Sequence, residues 1–166
     1  MSIKNRLFWL AAIVSLALDQ LTKYWTVQAL DIGDTIPLWP GVFHLTYVTN
    51  TGAAFSILSG QTEWLRWLSL LVSLGLVILA IAGPSMSKLE QVGYGCILGG
   101  ALGNGIDRFA AGEVVDFLDF RLINFPVFNL ADVSINIGII CLLLALYRSS
   151  GENDKAERYR NNRSDR

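Results

Sequence analysis

The sequence predicts an all-α membrane protein: four transmembrane helices with a small extracytoplasmic β-sheet in the first outer loop. Three observations lead there. Of 166 residues, 52% are hydrophobic and only 16% are charged, with a mean hydropathy of +0.44; a soluble domain carries about a quarter charged residues. Four segments, 7–30, 64–83, 92–109 and 127–147, approach the roughly 20 apolar residues that a spanning helix needs. Between the first two lies a loop, 31–62, rich in β-branched and aromatic residues and bounded by turn signals. The length favours one domain, and the pattern predicts a single membrane domain over 1–149 followed by a disordered cytoplasmic tail over 150–166.

The first segment begins MSIKNRLFWLAAIVSLAL, which mimics a signal peptide. The bulky, charged DQLTKYW follows it with no small-residue cleavage pattern, so it reads as an uncleaved span. Asp19 and Lys23 sit one turn apart in its outward half, on one face and in the better order for an ion pair. In the first outer loop, Val42 to Val48 reads as strand, with Pro40-Gly41 before it and Asn50-Thr51-Gly52 after it as turns. Trp39, Phe43, Tyr47 and Phe55 suit the headgroup region. His44 reads as a strand-surface residue, and as the single histidine it excludes a histidine metal site within one chain.

The second span carries one charge, Arg66, near its start. The third is glycine-rich (Gly93, Gly95, Gly99, Gly100, Gly103), which in a membrane permits close helix approach. It ends in Asn104, Asp107 and Arg108, with Asn104 on the same face as both later residues. The second outer loop, 110–126, holds the stretch EVVDFLDF with Asp116 and Asp119. The fourth span opens with Asn129 and Asp132, either of which can cap the helix. Cys96 and Cys141 lie inside spans, outside any metal-binding spacing, and read as packing residues.

Lys4, Arg6, Lys88, Arg148 and the basic tail all fall on one side of four spans, which predicts cytoplasmic termini. The polar residues within the spans then gather at the outward side. Ionisable groups there are costly and point to function. A net charge of −1 and the absence of a basic patch with interleaved aromatics argue against a nucleic-acid partner.

The available groups are carboxylates, amides and a few cations. A serine–histidine triad and an HExxH zinc hydrolase lack their histidines. A serine–lysine dyad built on Lys23 is conceivable, but Asp19 lies one turn away. Two carboxylate mechanisms are left. An aspartate pair can share a proton, one member activating water and the other polarising a carbonyl. Alternatively, carboxylates can hold a divalent cation, as in a metal-dependent membrane phospho-alcohol transferase. Gly112, Asp116 and Asp119 faintly match the acidic motif of that class, but the final spacing differs and the upstream acidic half is missing. A non-enzymatic transporter or scaffold with a polar pocket is a third reading.

Five motifs in order resemble the bacterial lipoprotein signal peptidases (signal peptidase II). Asp19-Gln20-Leu21-Thr22-Lys23 is similar to DQxTK, and Asn50 to Phe55 to NxGAAF. Gly99 to Arg108 is similar to GGAxGNxxDR, Val114 to Phe117 to VVDF, and Phe128 to Asp132 to FNxAD. Gly105 departs mildly, since an apolar residue is commoner there. The resemblance implies an aspartyl endopeptidase that removes signal peptides from diacylglyceryl-modified prolipoproteins, cleaving just before the lipidated cysteine. It implies Asp116 and Asp132 as the catalytic dyad, Asn50, Asn104, Arg108 and Asn129 as supporting or substrate-binding residues, and Asp19 and Lys23 as structural ones. It further implies no cofactor or metal, a prolipoprotein and membrane lipid as partners, and a multi-pass place in the bacterial plasma (inner) membrane with the site near the outer face. One chain holds a complete set of these residues, so a monomer is expected. Asp119 is expected to face water or support the loop.

Overall fold

A computed structural model describes residues 4–52 and 62–164, with 151–164 given as backbone. Ala53, Ala54 and Phe55 of the NxGAAF-like motif therefore lie outside the described residues. Four long helices dominate: α1 (Arg6–Ala29), α2 (Thr62–Ala82), α3 (Lys88–Ala110) and α4 (Leu130–Ser164). Three strands, β1 (Thr35–Trp39), β2 (Phe43–Asn50) and β3 (Val114–Phe120), form one antiparallel sheet in that order.

Two helical stretches, Thr62–Ala82 and Leu130–Ser150, are long and apolar enough to cross a membrane, with mean hydropathy 2.2 and 2.1. Helices α1 and α3 have comparable lengths, 24 and 23 residues, but carry the polar residues singled out above. Their lower apolarity has that cause. Large aliphatic side chains point outward all round: Leu10 and Ile13 of α1, Leu71 and Ile78 of α2, Leu143 and Leu146 of α4 are each at least 51% exposed. An apolar exterior this extensive fits lipid rather than water.

The helices run alternately up and down. At one end Asn5 donates its side-chain amide to Ala80 O (3.1 Å) and accepts from Met86 N (3.3 Å), joining the start of α1 to the end of α2 and the turn into α3. Ser87 and Glu90 form a capping box that starts α3: Glu90 N donates to Ser87 Oγ (3.3 Å) and Ser87 N to Glu90 Oε2 (2.7 Å). At the other end lie the sheet and the polar residues.

Helix α3 is the hub and packs against the other three. Its glycines make this possible. A Cβ on Gly99 would lie 2.6 Å from Ser15 Cβ and 2.7 Å from Ala12 O of α1. A Cβ on Gly100 would collide with Ala131 O and lie 2.7 Å from Ile135 Cγ1 of α4. The sequence expectation of close helix approach holds at these positions. Gly100→Val is expected to destabilise by about 1–3 kcal/mol through overpacking. Gly75→Val on α2, where a Cβ meets nothing within 4 Å, is the control and should be near neutral in thermal unfolding in micelles. Equal effects from both would remove the packing argument.

The sheet differs from expectation in one respect. Its first two strands come from the first outer loop as anticipated, but the third, β3, is the EVVDFLDF stretch of the second outer loop. Val114 and Val115 favour strand, and β2 offers an antiparallel edge that the loop residues can join. Pro37 is tolerated because β1 is the outer strand, and Gly41 (φ 73°) makes the turn to β2. Strand β2 is bulged: Leu45 pairs with Leu118 but Val48 with Asp116, so two β2 residues oppose one on β3.

Two further expectations are corrected. His44 is on β2 but buried at 8% exposure, its ring accepting from Gly41 N (3.2 Å), so it packs under a turn rather than lying on the sheet surface. Tyr47 is likewise 9% exposed and not free to face headgroups, whereas Trp39 is open at 67%. The expected tail over 150–166 falls on the last part of α4, which the structure continues to Ser164. That stretch contains no proline and is rich in Glu, Lys and Arg, good helix formers that prolong a helix already nucleated.

Candidate active site

Strand β3 and the start of α4 meet above α3. Asp116, 2% exposed, accepts from Asn129 Nδ2 at 2.6 Å and from Asn50 Nδ2 at 3.0 Å. Asn50 is where it is because of register. Val48 opposes Asp116 and Asn50 opposes Val114, so Asn50 is the diagonal neighbour on the same face.

Asn129 and Asp132 build the other half. Asp132 N donates to Asn129 Oδ1 (3.0 Å) and Asn129 N to Asp132 Oδ2 (3.3 Å), a reciprocal cap at the first turn of α4. Capping and site-building were alternatives in the sequence; the structure uses both. The oxygen of the Asn129 amide caps the helix, and its nitrogen turns to Asp116 and to Asn104 Oδ1 (3.0 Å). Asp132 Oδ1 in turn accepts from Asn104 Nδ2 at 2.9 Å. Asp116 and Asp132 are thus joined through two asparagines and line one cavity of about 890 Å³. Asn50, Asn104 and Arg108 share its walls, which continue into apolar Val133, Ile137 and Ile140.

Arg108 is 8% exposed and, among the described residues, is bound by backbone carbonyls alone, Nη1 to Asn104 O (3.3 Å) and Nη2 to Gly52 O (3.1 Å), with no partner there for Nε. Its charge is felt by Asp132 and Asp116 without being tied to either. A cation held this way can answer negative charge that develops in the cavity.

Beneath lies an ion cluster. Lys23 Nζ is 2.9 Å from Asp19 Oδ2, 2.8 Å from Asp107 Oδ2 and 2.9 Å from Asn104 Oδ1. The Asp19–Lys23 pair expected from the one-turn spacing is therefore present, and Asp107 completes it. Gln20 was not singled out, yet its Nε2 donates to Asp107 Oδ1 (3.0 Å) and Asp19 Oδ2 (3.3 Å). Its place beside Asp19 in a span that also carries Lys23 is the signal that could have found it.

Asp119 belongs elsewhere. It accepts from Thr46 Oγ1 (2.6 Å) and Arg121 Nε (2.7 Å) on the opposite face of β3, three residues from Asp116. Burial disfavours its charge, but those donors and the Arg121 cation win and hold its carboxyl below the usual range. It supports the sheet. Because Asp116 and Asp119 point to opposite faces, the acidic pair that a phospho-alcohol transferase would need for its cation does not converge. Among the described residues no three His, Cys, Asp or Glu side chains are grouped as a metal would require.

Burial pushes the Asp116 carboxyl up from 3.8 to about 6, with the nearby Asp132 charge adding to it and the Asn50 and Asn129 hydrogen bonds opposing. The folded protein therefore holds this proton more tightly than the unfolded chain. Stability from this group is greatest below about pH 4 and declines as pH rises to about 6. The gap between 3.8 and about 6 corresponds to about 3 kcal/mol. Asp116→Asn cannot ionise, so its stability relative to wild type should rise by up to about 3 kcal/mol from pH 4 to pH 7 in micelle unfolding curves. A difference independent of pH would contradict this burial.

A family model described as signal peptidase (SPase) II matches residues 11–148. A lipoprotein signal peptidase of Trichormus variabilis is 63% identical over 158 residues, 95% of this chain and all (100%) of that protein. One from a Nostoc species is 68% identical, covering 87% of this chain and 92% of its own. A solved structure described as "Bacterial membrane enzyme structure by the in meso method at 2.3 A resolution" superposes with a TM-score of 0.80 at 36% identity, over 86% of this chain and 88% of that one. A second so described, at 1.9 A resolution, gives 0.73 at 37% identity, over 82% and 90%.

Proposed function

The chain belongs to the signal peptidase II family, a membrane peptidase acting on lipoprotein precursors, and we propose that Asp116 and Asp132 are the catalytic dyad with which it does so. The observation that carries this is their convergence on one cavity through Asn104 and Asn129. The remaining assignments follow as supporting roles: Asn50 and Asn129 hold Asp116, Asn104 holds Asp132, and Arg108 faces the developing oxyanion.

In the resting site one proton resides on the pair of carboxyls, leaving one member protonated and the other ionised. The ionised member draws the proton from a water while the protonated member donates to the scissile carbonyl. Attack gives a neutral gem-diol, and Arg108 offsets the negative charge that builds on the carbonyl oxygen before its proton arrives. The proton taken from water then passes to the leaving nitrogen, the C–N bond breaks, and a gem-diol hydroxyl returns its proton to the other carboxyl, which restores the pair. Amide donors to the oxygens of both carboxyls fix their orientation at the cavity wall.

All four helices act as spans in this reading, with both termini cytoplasmic and the site near the outer face of the bacterial plasma membrane. The lipid-facing exterior and the one-sided polar cluster support it. The substrate is a prolipoprotein carrying diacylglyceryl-cysteine, cut just before that residue. The apolar continuation of the cavity along α4 (Ile137, Ile140) suits a substrate that is part peptide and part lipid. The chain works as a monomer, since one copy supplies every proposed residue.

The test is cleavage by the purified protein of a diacylated precursor against its non-lipidated form, with excess chelator in parallel. Cleavage confined to the diacylated form and indifferent to chelator is expected. Equal cleavage of both forms would overturn the substrate assignment, and loss of activity with chelator would overturn the dyad.

A further inference from the structure

The buried cluster below the cavity does more than join helices. Each of its members holds a particular neighbour of the site. Asp107 Oδ2 accepts from Val115 N (3.3 Å), the residue immediately before Asp116. Asp19 Oδ1 accepts from Ala131 N (2.8 Å), the residue immediately before Asp132. Lys23 donates to Asn104 Oδ1, and Asn104 Nδ2 donates to Asp132. Three ionic groups on two helices thus reach both aspartates, each through one intermediary. Resting on the dyad reading above, we infer that Lys23 and Asp107 are positioning residues of the reaction, which orient the two aspartates and set the charge around them.

Lys23 fixes the polarity of the amides around it. A primary amide can present either end, but an ammonium only donates. Lys23 therefore requires the oxygen of Asn104 on its side. The nitrogen must then face Asp132, which is the arrangement that holds a carboxylate. Reversing the amide would set NH₂ against the ammonium and oxygen against the carboxylate, both repulsive. The same Asn104 oxygen receives Asn129 Nδ2 at 3.0 Å, and that nitrogen also reaches Asp116. One fixed cation thereby sets the direction of the Asn104 amide and, through it, favours that of Asn129.

Lys23 also acts through its charge. The charged groups acting on Asp116 are Lys23 from α1, Arg108 from α3 and Asp132 from α4, and Asp107 of α3 is paired to Lys23. Of these, the Lys23 charge favours ionised Asp116 and the Asp132 charge opposes it. Neutralising Lys23 must make the shared proton of the dyad harder to lose, and neutralising Asp107 must make it easier. A loss of stability alone would move neither limb of a pH profile, so the direction of each shift separates a charge acting on the dyad from a helix clamp out of its reach.

The experiment is the pH dependence of kcat/KM for wild type, Lys23→Met and Asp107→Asn, with purified full-length protein and a diacylated precursor, well below each unfolding temperature. The alkaline limb should move up in Lys23→Met and down in Asp107→Asn. In both, kcat should fall about tenfold or more while KM stays within about twofold, because misplaced groups cost rate rather than binding. Limbs that coincide with wild type in both variants would overturn the inference whatever the loss in rate. Should Lys23→Met fail to fold, the Asp107→Asn limb decides alone. Failure of the dyad itself is seen separately, as retained cleavage in Asp116→Asn or Asp132→Asn.

Discussion

Asp116→Asn and Asp132→Asn are each expected to lower cleavage of a diacylated precursor by about a thousandfold or more, in the upper part of the range for losing acid–base catalysis. Asparagine preserves shape and removes the capacity to exchange a proton. At Asp116 it still offers one oxygen to the Asn50 or Asn129 donor, so the protein should remain inserted and folded. At Asp132 the oxygen can still receive Asn104 Nδ2, or the cap from Asn129 N, but not both. The two losses do not add. Either substitution alone destroys a unit that works as a pair, so the double variant should be no slower than the worse single one. Single-turnover cleavage by purified protein measures all three. Retained cleavage in either single variant would sink the assignment of that residue, and losses that multiply would argue that the two carboxyls act independently.

Lys23→Met is expected to carry the largest stability cost in the molecule, about 3–5 kcal/mol. The ammonium is 4% exposed, and its partners Asp19 and Asp107 are 0% and 11% exposed. Methionine keeps an unbranched apolar stem one atom shorter than lysine and removes the charge. Two carboxylates would then sit close together in a poorly solvated place with no cation between them. Much of the cost is the penalty of those orphaned charges rather than the worth of the pair. Adding Asp19→Asn removes one of them, so Asp19→Asn/Lys23→Met should be more stable than Lys23→Met alone. Unfolding in micelles compares the two, and a double variant less stable than the single one would show that packing, not charge, dominates here.

Much of the fold was legible because its signals are local. Apolar length marked the helices, glycine spacing marked the face of α3 that α1 and α4 approach, and Val42 to Val48 marked a strand. The third strand was not legible. EVVDFLDF has strand-forming residues, but its partner β2 lies more than 60 residues earlier in the chain, and no local pattern encodes a pairing over that distance. His44 was misjudged for a similar reason. Alternation along a strand tells which residues share a face, not that the turn at Gly41 folds over one of them.

At the site, residue types and their clustering at one end of the chain's spans came from the sequence, and five short motifs supplied the resemblance. The sequence by itself determined that this is a membrane chain whose costly polar groups lie at one end, because every buried charge leaves a visible exception in an apolar run. It also settled which chemistries lacked their residues. Only the tertiary structure decided that Asp116 stands apart from Asp119, three residues away on the same strand, and shares a cavity wall with Asp132 at the start of α4. Only there does Asn129 cap α4 with its oxygen and hold Asp116 with its nitrogen. The reason is physical: a hydrogen bond fixes direction as well as distance, and which end of an amide faces which carboxylate depends on donors brought in from α1, α3 and the sheet together.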